Sequence, residues 1–265
     1  MIIFIQELIR NRKSFIVWTV SLVASSVLMT MLFPYMDIKM DAMGDVLKQM
    51  PEGMLSALNL ENMDFSKILP FFAYIFQYIL LFSSIFAMQF GAGILSREES
   101  EGTSEFLLSK PVKRTGVVSS KLLCLLFYLV LFNLIFTAAD YLAFNTITDQ
   151  SFSMKAFWLL HLGQLLLQLL FAAIGLLISV FVVKSRTIFP LTIGVVLGMY
   201  FISIISGVSD KLENLKYLSP FKYIVPADIV GTKRIELVYL IIICVAAITA
   251  VAGTYVFYNR KDIAG

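Results

Sequence analysis

The stretch FWLLHLGQLLLQLLFAAIGLLISVFVV, from Phe157 to Val183, carries no Asp, Glu, Lys or Arg. A bilayer core about 30 Å thick is crossed by about 20 apolar residues, each rising about 1.5 Å along a helix. This stretch is long enough to cross as one helix. To either side of it five more runs meet the same test, at roughly Phe15–Phe33, Leu69–Leu95, Val117–Phe144, Thr187–Val208 and Leu237–Tyr258. The first is too long for the core of a signal peptide, and no small-residue cleavage site follows it before Pro34, so it is expected to remain as a span. Composition agrees with this reading. Of 265 residues 59% are hydrophobic and 15% charged, against about 45–50% and about 25% in soluble domains. Disordered, collagenous and soluble nucleic-acid-binding classes are excluded, and the expected fold is an all-α membrane protein with six transmembrane helices.

Orientation follows the Lys and Arg residues near span ends rather than the small net charge of +3. Eleven basic residues flank one side: Arg10, Arg12 and Lys13, then Arg97, Lys110, Lys113 and Arg114, then Lys184 and Arg186, then Arg260 and Lys261. The opposite loops hold nine, three of them in the stretch Pro34–Ile68 beside six carboxylates. Both termini are therefore expected in the cytoplasm. Five of the nine (Lys211, Lys216, Lys222, Lys233, Arg234) lie in the loop 209–236, which also contains LSPFKYIVP at Leu218–Pro226. Prolines break a helix there, so the segment reads either as a broken, re-entrant hairpin before the last span or as an ordinary outside loop with two turns.

Two segments outside the spans carry information. Over Ile2–Lys13, Ile2, Ile5, Leu8 and Ile9 share one helical face, with Gln6, Arg10 and Lys13 on another. Residues 1–14 are expected to form an amphipathic interfacial helix, the alternative being an extension of the first span. The connector 96–114, within SREESEGTSEFLLSKPVKRTGVVSSK (Ser96–Lys121), is the other. Ser96 and Glu99 have capping-box spacing, carboxylates cluster in the turns that follow, Phe106–Leu108 form an apolar patch and Pro111 stops the helix. Gly102 marks a break or a close approach. A short charged helix hung between two spans suits docking onto a cytoplasmic partner.

Chemistry within the chain is not expected. The nearest approach to a phosphate loop, Gly231-Thr232-Lys233, lacks the upstream glycine, so ATP is not bound by this chain and no enzyme activity is assigned to it. Glu98-Glu99 invites comparison with intramembrane proteases carrying a Glu-Glu pair, but the arginine position four residues on is Thr103. Cys124 and Cys244 lie in apolar runs with no disulfide or metal pattern, and the lone His161 offers no metal site. Asp140, near the outer end of the third span, reads as a hydrated edge carboxylate. His161 lies on the same side, which leaves a pair between them open. Gln77, Gln89, Gln164 and Gln168 read as bonds between helices. Gly194 and Gly198 give the fifth span a small-xxx-small packing face, with Gly91 and Gly93 similar in the second.

The connector resembles that of the permease subunits of ABC-2 type transporters, through Gly102, Thr103, Glu105, Leu107, Leu108, Pro111, Arg114 and the following Lys121. The resemblance extends over 1–265 as a single ABC-2 type transmembrane domain, including Ser219-Pro220-Phe221 and the ending Tyr258–Ile263. It implies a permease subunit of an ATP-driven transporter, exporting an amphipathic or hydrophobic substrate such as a peptide, lipid or drug. It also implies two cytoplasmic P-loop ATPase subunits and a second permease chain, identical or related. ATP and magnesium would sit on those ATPases, with no cofactor in this chain. The ATPase contacts it points to are Arg97, Glu98, Glu101, Gly102, Thr103 and Glu105. Gly194 and Gly198 would pack against the second permease, and Pro220, Phe221 and Pro226 would form an extracellular gate region. The implied setting is the plasma membrane of a bacterium or archaeon, with multiple passes. A six-span channel or assembly scaffold without an ATPase is the alternative, and it calls for an ionisable or glycine-lined pore.

Overall fold

The computed structural model describes residues 2–36, 51–57, 64–100, 113–182, 184–207 and 210–261, and all regular structure among them is helical. Six long helices dominate: α1 (Ile2–Met31), α2 (Ile68–Ser100), α3 (Arg114–Ile147), α4 (Met154–Ser179), α5 (Ile188–Ser206) and α6 (Leu237–Arg260). All six are long and apolar enough to cross a membrane. Shorter helical pieces lie between α5 and α6, at Asp210–Tyr217, Pro220–Lys222 and Pro226–Thr232.

The helices pack around a central parallel pair, α2 and α4, in which Phe76 meets His161 near one end and Gly91 meets Ala172 near the other, with α1 lying on α3, α6 on α4 and α5 on α2. Two glycines let the central pair touch backbone to backbone. A Cβ on Gly91 would collide with the carbonyl of Ala172, and one on Gly175 with the carbonyl of Met88. Gly91 thus has the close approach read from the sequence. A Cβ on Gly93 would meet only the side chain of Arg97 on its own helix, at 3.3 Å.

Two local readings change. No break separates an interfacial helix 1–14 from the first span, because α1 runs unbroken from Ile2 to Met31. The reason is plain in the sequence: no Gly or Pro interrupts it before Pro34. The buried side is neither of the two faces read from the sequence: Gln6, Arg10 and Lys13 are exposed as expected, and Leu8 packs against the core. Ile5 and Ile9 are exposed, at 49% and 57%, while Glu7 and Asn11 turn inward. Likewise Ser96 is not the N-cap of a separate connector helix. It lies inside α2, and its hydroxyl donates to the carbonyl of Ala92 at 2.7 Å. Arg, Glu and Ser all tolerate a helix interior well enough for α2 to continue beyond its apolar run.

Asp140 is not a hydrated edge carboxylate either. It is 1% exposed, held by Ser26 of α1, with Oδ2 3.8 Å from Nε2 of His161 on α4. An edge carboxylate is what α3 alone would present, whereas α1 and α4 close over this position.

Candidate coupling site

One end of the bundle, called the base here, gathers the start of α1, the end of α2, the start of α3 and the ends of α4 and α6. Both roots of the connector lie in it. On the second root, Lys121 is fully buried, an arrangement that demands an acceptor set. Its ammonium donates to Oε1 of Glu7 at 2.8 Å and to the carbonyl of Ile94. On the first root, Arg97 donates to Oδ1 of Asn11 at 2.7 Å. Asn11 in turn donates to the carbonyl and to Oε2 of Glu7, at 2.9 and 3.0 Å. Arg10 adds a partly exposed contact to Oε1 of Glu7 at 3.1 Å. One carboxylate on α1 therefore ties together the end of α2 and the start of α3, and Tyr128 of α3 further donates to the carbonyl of Leu8.

The base is closed from the other side by helix-end contacts. Arg114, the first residue of α3, donates to the carbonyls of Tyr258, Asn259 and Lys261 at 3.4, 3.2 and 2.6 Å. These are carbonyls that α6 leaves without intrahelical partners, and a cation there also suits the helix dipole. Lys261 does the same for α4, donating to the carbonyl of Val180 at 2.5 Å. The arrangement is a charge-locked frame around the two points where the connector leaves the bundle.

The family comparison bears on the same frame. The family model described as "ABC-2 family transporter protein" matches residues 1–263. The chain belongs to the ABC-2 transporter family. No curated protein matches it. As an ABC-2 family member with six apolar helices it is a multi-pass membrane protein, of the permease type that associates with ABC ATPase components.

Within this ABC-2 permease the residues singled out in the sequence separate into four groups. Arg97 joins the base network, and the backbone of Glu98 lies in the last turns of α2. Glu101, Gly102, Thr103 and Glu105 lie outside the described residues. Gly194 and Gly198 lie on a face of α5 where an added Cβ would meet nothing within 4 Å. Pro220, Phe221 and Pro226 are buried in the segment before α6. There Phe221 packs on Phe171 of α4 and Tyr200 of α5, at ring distances of 5.2 and 5.4 Å. Ile224 presses on Gly163 of α4, and Ser219 donates to the carbonyl of Met199 at 2.6 Å. The irregular backbone is thus covered by protein, and the ring of Phe221 reaches Phe171 in the second half of α4. Burial raises the phenol of Tyr223 above its ordinary range, and its hydroxyl donates to the carbonyl of Tyr217.

Glu7 and Asn11 are the residues of the base network that the sequence reading missed. A signal was present: Lys121 lies inside the predicted third span, and an ammonium at that depth asks for a carboxylate from another helix.

Proposed function

We propose that this chain is the membrane subunit of an ATP-driven exporter of an amphipathic or hydrophobic substrate. Two such chains, identical or related, assemble with two cytoplasmic P-loop ATPase subunits, which carry ATP and magnesium. The chain itself carries out no catalysis. The connector 96–114 sits in the cytoplasm with both termini and docks on the ATPase through Arg97, Glu98, Glu101, Gly102, Thr103 and Glu105. The ATPase dimer binds ATP more tightly in one arrangement than in the other, and that difference biases the permease pair between conformations. Gly194 and Gly198 face the second permease, and the Pro220–Pro226 segment serves as the outer gate.

The observation that carries this reading is the convergence of Arg97 and Lys121, one at each root of the connector, on Glu7 and Asn11 of α1. A force that reaches the ends of α2 and α3 is shared with α1 through these buried and part-buried bonds. The test is detergent purification of the chain from its native cells. A stoichiometric P-loop ATPase should come down with the wild type and be lost from Glu98→Ala, Gly102→Trp and Thr103→Arg. A folded chain that repeatedly purifies without any ATPase would remove the motor and overturn the proposal.

A further inference from the structure

A second set of polar groups lies inside the bundle, far along the helices from the base. On α3 they are Asn133, Thr137 and Asp140, at helical i, i+4, i+7 spacing. On α4 they are His161, Gln164 and Gln168, at i, i+3, i+7. The two helices run antiparallel, so the stripes face each other as one seam. Asn133 donates to Oε1 of Gln168 at 2.6 Å at one end, and Asp140 faces His161 at the other. The six residues are at most 8% exposed.

The seam is under-satisfied. Asp140 Oδ1 accepts from Ser26 Oγ at 2.8 Å, but Oδ2 has no hydrogen-bond partner of full geometry. The same holds for both ring nitrogens of His161, both amide atoms of Gln164, Oδ1 of Asn133 and Nε2 of Gln168. Native interiors rarely leave such atoms unused, and at one end of the seam three of them, Asp140 Oδ2 and the two ring nitrogens of His161, belong to a single pair. Its surroundings are aromatic. Phe157, Phe76, Phe136 and Phe72 enclose the imidazole at ring distances of 4.5, 5.3, 6.0 and 6.3 Å. Every element packed on the pair is accounted for: α1 presents Ser26, α2 presents Phe72 and Phe76, and α3 and α4 add Phe136, Phe157 and Gln164. Among the described residues no Lys, Arg or further carboxylate pairs with Asp140 or His161.

A lone charge so placed is expensive, so the pair must be neutral as a unit. Two arrangements are neutral, a carboxylic acid beside a neutral imidazole and a carboxylate beside an imidazolium. Both hold one proton. We propose that Asp140 and His161 form a proton-binding site within the α3–α4 seam, one that retains a single proton between the two side chains. Beside the pair a groove of about 600 Å³ between α3 and α4 has Asn133, Thr137 and His161 among its lining, but the exposed Leu134 and Trp158 along it are apolar, so it opens toward lipid and water must enter by another route. A conformational step that parts the two helices hydrates the pair. Above a pH of about 6.5, where a free imidazole and a free carboxyl keep no proton between them, that step releases the proton. This inference stands apart from the ATPase partnership.

The chain has one histidine, which makes the site directly readable. The full-length chain, labelled with ¹⁵N only at the histidine ring, is reconstituted in liposomes and observed by solid-state NMR at pH about 8, with infrared spectra of the same sample. The expected result is one proton on the pair, seen either as an imidazolium or as a carboxylic-acid carbonyl band. That signal should vanish in Asp140→Asn and survive, shifted, in Asp140→Glu. A wild-type spectrum at this pH with a neutral imidazole and no carboxylic-acid band overturns the proposal, whatever the variants do.

Discussion

Lys121 is the side chain that decides the base. Its ammonium is fully buried and depends on Glu7, which is itself 3% exposed. Removing one partner of such a pair leaves an uncompensated charge and costs about 3–5 kcal/mol, whereas replacing both with apolar groups of similar size is close to neutral. Lys121→Met and Glu7→Leu should therefore each lower the thermal unfolding midpoint in detergent sharply, and the double variant should recover most of the loss. Simple additivity of the two losses would show that the pair does not act as a unit. The double variant also separates stability from coupling. In the reconstituted complex it should fold yet show ATP hydrolysis that no longer responds to substrate, and normal substrate stimulation would argue against a mechanical role for the pair. At this scale the sequence was only half legible. Lys121 stands out inside an apolar run, but the face of Ile2–Lys13 that turns inward is chosen by charge pairing with other helices, which no periodicity within the segment records. Asp140 eluded reading for the same reason, since its burial is supplied by α1 and α4.

The α2–α4 contact governs the element scale. At Gly91 and Gly175 the obstacle to a side chain is the partner's backbone, which cannot rotate away as a side-chain neighbour could. Gly175→Leu and Gly91→Leu should cost more than the 1–3 kcal/mol or so usual for overpacking, and should abolish the monodisperse peak in size-exclusion chromatography. Gly194→Leu, on a face of α5 that is open within the single chain, should leave the chain folded and monodisperse even if its elution position shifts through a weakened pairing. Equal behaviour of all three would mean that the central pair is looser than its geometry. The last five spans were legible to within about five residues because the bilayer demands a long apolar run, whereas α1 begins at Ile2, well before the run that starts at Phe15. Exact helix ends were not legible: α2 continues through Arg97 to Ser100, where hydropathy has already fallen. Gly91 was legible as a small residue in a span, but its partner Gly175 needed the structure, because a close approach belongs to two helices at once.

At the scale of the whole molecule, cover is distributed unevenly. The apolar part of α2 is 72% buried within the chain, while those of α5 and α6 are only 22% and 17% buried. Some of this surface must meet lipid, but α5 combines exposed Phe201 and Ile205 with glycines that permit a close neighbour. If a second permease occupies that face, residue 194 of one chain comes near its counterpart across a two-fold axis, because a symmetric pair presents the same patch twice. The background for a crosslink is simple to prepare, since the chain has only Cys124, buried, and Cys244, exposed. With both replaced, Gly194→Cys should yield a disulfide-linked dimer on mild oxidation in liposomes, and a cysteine at Ile248 on the exposed face of α6 should not. The yield from position 194 should also change when ATP is bound by the associated ATPase, because the two chains move relative to each other during the cycle. Crosslinking at 248 but not at 194 would move the permease interface to α6. No crosslink at either position, in a sample shown to be folded, would leave α5 facing lipid and would remove the packing role assigned to Gly194 and Gly198.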